Sequence, residues 1–286
     1  MKRAAFAAGV LGALAVPGAV LARTVHVRDL VARIPGVTGV YARTLDDDAP
    51  LVSVRAGEPF ASASVIKLAI MLTAYRAYDA GTASPDDFVT LRAADLIGGS
   101  DVLAYARPGQ RFRMRELVRA MIQQSDNSAS NSLISTFGFG AINDVIRAAG
   151  LTGTRLGRHF ADYVPPWHVS ANVTTPRDIG TLLYGIEHGS REQIDTVAKA
   201  ESCRAMIDVL LGQEDKSKIP SGLPAGTPCA NKTGEIDGVR NDAAIVDPYG
   251  DTPYVLVVLT RALDDINAGD RGIAAIARRV HAIVQT

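Results

Sequence analysis

The stretch Ser64-Val-Ile-Lys67-Leu-Ala-Ile-Met-Leu-Thr73-Ala74 decides how the rest of the chain is read. From Val65 to Ala74 a helix would be apolar on every side except at Lys67 and Thr73, so it is expected to be buried. A lysine there is anomalous, because desolvating an ammonium is costly without partners. Ser64 stands three residues earlier, on the same face one turn back. At a helix N-terminus, free N–H groups and the dipole favour a developing oxyanion. A desolvated lysine can take the proton that a serine hydroxyl loses on attack. Taken alone, a capping serine with a snorkelling lysine explains the pattern more simply.

Two further polar signals lie outward from it. Ser125-Asp126-Asn127 follows an amphipathic helix expected over Met114 to Gln124, with Leu117, Met121 and Ile122 at helical spacing. Lys232-Thr233-Gly234 precedes the Asp237-Gly238 turn and so ends a strand at a hairpin. Singly, the first reads as a helix cap and the second as an exposed lysine beside a turn. In this order, however, Ser-x-x-Lys, Ser-Asp-Asn and Lys-Thr-Gly form the triplet of class A β-lactamases and penicillin-binding proteins. The sequence resembles the class A β-lactamase-like serine hydrolases from about Gly36 to its C-terminus. The similarity includes Phe60, Leu117 to Asn131, and Thr174-Thr175-Pro176.

The resemblance implies a role for each matching residue. Ser64 would attack an amide carbonyl and carry the acyl group, with Lys67 as its base. Ser125 would pass a proton to the departing nitrogen, and Asn127 would contact substrate and lysine. Lys232 would hold Ser125 electrostatically and, with Thr233, meet the substrate carboxylate. Gly234 completes the motif, and the backbone N–H groups of Ser64 and Glu235 would form the oxyanion hole. Arg240, across a hairpin about one residue short, is a candidate second carboxylate anchor. The family also places a water-activating glutamate on a loop before the Thr-Pro helix. Here that position falls on or beside Phe160, and no glutamate lies between Arg155 and Pro176. Asp162 is the one carboxylate in that stretch and the candidate for deacylation, while Asn172 stands where an aspartate would pair with Arg158.

The fold expected is α/β (α+β). Gly36 to Leu45 and Leu51 to Arg55 read as a hairpin, and strand signal returns at Asp242 to Asp247 and Tyr254 to Thr260. Ala141 to Ala149 reads as a helix ending at Gly150, and Pro176 opens another. Ile273, Ile276, Ala277, Val280, Ile283 and Val284 form one closing helical stripe. An antiparallel sheet is thus expected from both chain ends, residues 23–61 and 214–286, with a helical domain inserted over 62–213 and the active site in the cleft between them.

Composition bounds the rest. The chain has 286 residues, of which 47% are hydrophobic and 21% charged, which excludes wholesale disorder. Lys+Arg and Asp+Glu are both 30, with no basic face, which argues against a nucleic-acid partner. Met1-Lys2-Arg3, an apolar run to Leu21 and a small-residue site at Val20-Leu21-Ala22 predict a cleaved signal peptide over residues 1–22. The mature protein is then expected to be periplasmic or secreted, monomeric and without a stable membrane anchor. Outside the cytosol Cys203 and Cys229 could pair, or both could be buried thiols. His159, Asp162 and His168 share a loop, but no His-Glu-x-x-His or Cys-x-x-Cys accompanies them, so neither metal nor cofactor is expected. The expected partner is a small molecule, a β-lactam or a D-Ala-D-Ala-like peptide. A β-lactamase leads, with a D,D-peptidase or other peptide or ester hydrolase and a non-turnover β-lactam-binding protein as alternatives.

Overall fold

Tyr254–Arg261 (YVLVVLTR) is apolar on both sides because both of its faces are covered. Tyr254, Leu256 and Val258 point to one core, packed with Ile273, Ile276, Ala277 and Val280. Val255, Val257 and Leu259 point to the other, shared with the helices of the middle of the chain. The computed structural model describes residues 18–47, 49–97, 102–161 and 171–286. Residues 1–17 of the expected leader lie outside these. So do Asp162, Tyr163, Pro165, Pro166, Trp167 and His168 of the loop.

The sheet takes β1 (Val37–Thr44) and β2 (Val52–Val54) from early in the chain and β7 (Cys229–Ile236), β8 (Val239–Val246) and β9 (Tyr254–Arg261) from late in it. Its order is β2-β1-β9-β8-β7 and every pairing is antiparallel, with Val40 opposite Val258 and Lys232 opposite Ala243. The sheet built from both chain ends is therefore as expected. Two short pairs stand apart from it: β3 (Phe60–Ala61) with β6 (Val173–Thr174), and β4 (Phe88–Thr90) with β5 (Arg111–Arg113).

Seven helices complete the described fold: α1 (Gly18–Arg33), α2 (Lys67–Asp79), α3 (Met114–Gln123), α4 (Asn127–Ala148), α5 (Pro176–Glu192), α6 (Ala200–Leu211) and α7 (Ile266–Val284). α1 and α7 cover one sheet face, and α7 buries the predicted stripe. α5 lies on the other face, where Gly180 lets it approach β1: a Cβ there would come within 2.2 Å of the Tyr41 ring. Pro176 occupies the first turn of α5, and the Thr175 hydroxyl accepts from Asp178 N. The helix expected over residues 141–149 is only the second part of α4, which breaks at Gly138 (φ 81, ψ 150). Its first part, rich in serine and asparagine, carries little helical signal of its own. No helix among the described residues is long and apolar enough to cross a membrane. Cys203 and Cys229 are free and buried, which settles the open choice in favour of two thiols.

Candidate active site

Ser64 lies in a single 3-10 turn, Ala63–Ile66, that leads directly into α2, whose first residue is Lys67. The buried helix of the opening motif thus carries its lysine inside, with Lys67 fully buried. The Lys67 ammonium donates to Ser125 O at 2.6 Å, Ser125 Oγ at 3.2 Å and Asn127 Oδ1 at 2.8 Å. These partners answer the desolvation problem posed by the sequence. The ammonium is directed to Ser125 and Asn127 rather than to the Ser64 hydroxyl.

The Ser-Asp-Asn segment is held at the start of α4. Asp126 caps the helix through Ala129 N at 2.8 Å and also accepts from Leu103 N at 2.9 Å. Ser125 sits just before it at φ 58, and Ala63 just before Ser64 at φ 45. Two non-glycine residues in the left-handed region flank one cleft, and such strain persists only where surrounding structure enforces it.

Lys232 on β7 is fully buried and reaches the same hydroxyl from the opposite side, donating to Ser125 Oγ at 3.0 Å and to Thr233 O at 2.9 Å. Burial pushes the Lys232 amine down to about 7, against the opposing pull of Asp242 and Asp215. Burial likewise holds Lys67 well below its ordinary value, reinforced by the charge of Lys232 and opposed by Asp126. Two lysines whose proton affinity burial depresses therefore meet at one serine oxygen.

β7 runs past the Ser64 turn at very close range. A Cβ on Gly234 would lie 3.0 Å from Ser62 O and Ser64 N and 3.1 Å from Val65 N, so only glycine fits without displacement. Asn241 on β8 secures the turn by donating to Ala61 O at 2.9 Å while accepting from Thr260 N at 2.9 Å. The cleft above has a volume of about 390 Å³ and brings together Ser64, Ser125, Asn127, Thr233, Gly234 and Glu235. Arg240 does not join its lining. Its guanidinium donates to Val239 O at 2.9 Å and Ile236 O at 3.3 Å and lies 3.7 Å from Asp270.

Of the loop, residues up to Ala161 and from Ala171 onward are described. Phe160 is clamped through its main chain by Asn131, which accepts from Phe160 N at 2.8 Å and donates to Phe160 O at 3.2 Å. Its ring centroid lies 4.4 Å from Lys67 Nζ. Asn172 meets Arg158 through the main chain, accepting from its N at 3.0 Å and donating to its O at 3.2 Å. His159 packs edge-on against Phe139, and Asp162 and His168 lie outside the described residues.

Sequence reasoning missed the residues around the cleft rim. Lys218 is fully buried and bonds Asp215 at 2.8 Å and Glu235 at 2.5 Å. Burial would raise the Asp215 carboxyl, but hydrogen bonds from Lys218 and Ser217 outweigh it and hold it below the usual carboxylate range. Asp242 is wholly buried on β8, where burial raises its carboxyl to about 6 despite hydrogen bonds from Asn231 and Ile219 N. Asn241-Asp242 ahead of the apolar run Ala243 to Val246 was the available signal for part of this network.

The chain is similar to known proteins over most of its length. The sequence model of the Beta-lactamase enzyme family (Beta-lactamase2) matches residues 22–284. The chain is 31% identical to β-lactamase Toho-2 of Escherichia coli over 195 residues, 67% of this chain and 65% of that relative. It thus spans just under two thirds of Toho-2. It is 29% identical to the carbapenem-hydrolysing β-lactamase KPC of Klebsiella oxytoca over 255 residues, 86% of this chain and 83% of the relative. Among solved structures, PBP-A in a leucine-to-glutamate variant, an acyl-enzyme complex with penicillin G, superimposes with a TM-score of 0.82 at 27% identity. That match covers 93% of this chain and 97% of the other. With a match that runs through all three motifs and a fold shared with class A enzymes, the chain belongs to the β-lactamase enzyme family.

Proposed function

We propose that this protein is an exported, monomeric serine hydrolase that is acylated by β-lactams at Ser64 and releases the acyl group slowly. One observation carries the reading: the Lys67 and Lys232 amines converge on Ser125 Oγ, at 3.2 Å and 3.0 Å, in the cleft that also holds Ser64.

In the forward step Ser64 Oγ attacks the lactam carbonyl and its proton passes to Lys67, once that amine is neutral and turned from Ser125 and Asn127 toward Ser64. The backbone N–H groups of Ser64 and Glu235 stabilise the oxyanion, which the close passage of β7 supports. As the C–N bond breaks, Ser125 donates its proton to the departing nitrogen and is resupplied by the lysines that bond it. The proton lost by Ser64 is returned to the departing nitrogen through side chains alone, so the scheme uses no cofactor.

Hydrolysis of the ester needs a water and a base. An aromatic ring faces Lys67 where a water-activating carboxylate would serve, and a missing general base costs about 10²–10⁴-fold. Asp162 is the nearest carboxylate in sequence and is proposed as a weak substitute.

The test is a time course of the mature protein with a chromogenic cephalosporin, with adduct mass measured in parallel. A stoichiometric burst and a slowly decaying adduct are expected, both absent in Ser64→Ala. Neither colour nor adduct in the parent protein would refute the reading. Asp162→Asn should slow adduct decay further, and an unchanged rate removes Asp162 from the mechanism.

A further inference from the structure

We infer that the groove between α2, α3 and α6 is a second ligand site, separate from the cleft of Ser64, and that it takes a small aromatic anion whose ring packs on Tyr75 and Val118 while its charge meets Arg119. This site stands apart from the reaction proposed above, in which none of these residues takes part.

The shape of the groove comes first. Its volume is about 410 Å³, against about 390 Å³ for the cleft that holds Ser64, and both fall in the range of small-molecule sites. Tyr75 and Tyr78, one turn apart on α2, meet edge to face with ring centroids 5.4 Å apart. Val118 of α3 and Ala205 and Val209 of α6 form the other walls. The Tyr78 hydroxyl is enclosed and makes no hydrogen bond, so this ring presents apolar surface to the groove. A flat aromatic body is the shape that such walls accommodate.

The charges around it select the sign of the ligand. Arg115, Arg119 and Asp208 are the charged residues of the lining among those described. Arg115 is paired with Asp86 at 2.8 Å, and Asp208 accepts from the Tyr249 hydroxyl at 2.6 Å. Arg119 is exposed and makes no hydrogen bond or ion pair among the described residues. Burial pushes the Tyr75 phenol up to about 12 while the Arg119 charge opposes the rise, so the guanidinium lies within electrostatic reach of that hydroxyl. An uncommitted guanidinium beside an aromatic wall matches a carboxylate carried on an aromatic ring.

Gln123 keeps the two sites apart. Among the described residues it alone lines both the groove and the cleft. Its amide donates to Val209 O at 3.2 Å and lies against Gly212, where a Cβ would come within 2.1 Å of it. That packing holds the side chain in place as a partition.

Calorimetric titration with 2-naphthoate and with uncharged 2-naphthamide tests the site. The naphthoate is expected to bind about tenfold more tightly than the amide. Arg119→Gln should weaken the naphthoate by about tenfold and leave the amide within about twofold. Ala205→Trp fills the groove and should abolish binding of both, with a thermal melt confirming that the variant is folded. If it is not folded, the exposed Arg119 decides alone. Thr233→Val, in the cleft of Ser64, should change neither affinity. No binding of the naphthoate, an unchanged affinity in Arg119→Gln, or binding retained by folded Ala205→Trp would overturn the assignment. So would a loss of affinity in Thr233→Val with none in Arg119→Gln, which would put the anion in the cleft of Ser64. These titrations do not use the Ser64 hydroxyl, so their failure leaves the acylation test standing, and an absent acyl adduct leaves this site standing.

Discussion

Lys67 shows how much one side chain announces. A cation inside a buried, mostly apolar helical stretch is unfavourable enough that partners had to exist, and Ser125 and Asn127 supply them. The identity of those partners was legible only through the motif order, since they stand about sixty positions away in the chain. Phe160 is the opposite case. Its residue type says nothing about a site, and only Asn131 gripping its main chain brings the ring onto Lys67. That geometry yields a prediction: Phe160→Glu puts a carboxylate beside the amine on the same clamped backbone. Adduct decay should accelerate by about 10²–10⁴-fold, converting the burst into turnover. Decay at the parent rate would show that the ring is not what limits deacylation.

At the scale of elements, β7 lies in close contact with the Ser64 turn. The atoms facing Gly234 are all main chain, Ser62 O, Ser64 N and Val65 N, so none can swing aside as a side-chain end would. Gly234→Ala should therefore push β7 away and misplace the oxyanion donors. Acylation is expected to fall by about 10²-fold, on the scale of losing one such donor, with a smaller effect on stability. Stopped-flow acylation beside a thermal melt distinguishes this from unfolding, and an unchanged acylation rate would contradict it. The strands themselves were easy to read, because Tyr254 to Thr260 is long, apolar and β-branched. The first half of α4 was not, because its small polar residues favour caps and turns until packing holds them. Buried Ala129, Leu133 and Ile134 provide that packing.

For the molecule as a whole, stability depends on charges enclosed by the fold. Glu187 on α5 is almost entirely buried, neither carboxylate oxygen is hydrogen-bonded, and Arg191 stands 3.6 Å away. Burial raises its carboxyl from 4.5 to about 7, with Arg191 opposing. The folded state therefore holds this proton more tightly than the unfolded chain does. The stabilising contribution is complete below about pH 4.5 and is lost as pH rises through about 7. Glu187→Gln cannot ionise, so it should gain about 2 kcal/mol more over the parent at pH 8 than at pH 5. Urea melts at the two pH values decide it, and parallel pH dependence in both proteins would exclude Glu187 as the source.

The sequence by itself determined the three motifs, the sheet drawn from both chain ends and the strangeness of a lysine at position 67, because hydrophobic period and motif order are local properties of a chain. The tertiary structure decided that two amines share the Ser125 oxygen, that Phe160 faces Lys67, that Arg240 turns to Asp270, and that Glu235 is tied to Lys218. These are distances between segments far apart in sequence. Side chains acquire such neighbours, and the shifted proton affinities that follow, only when packing removes the water between them.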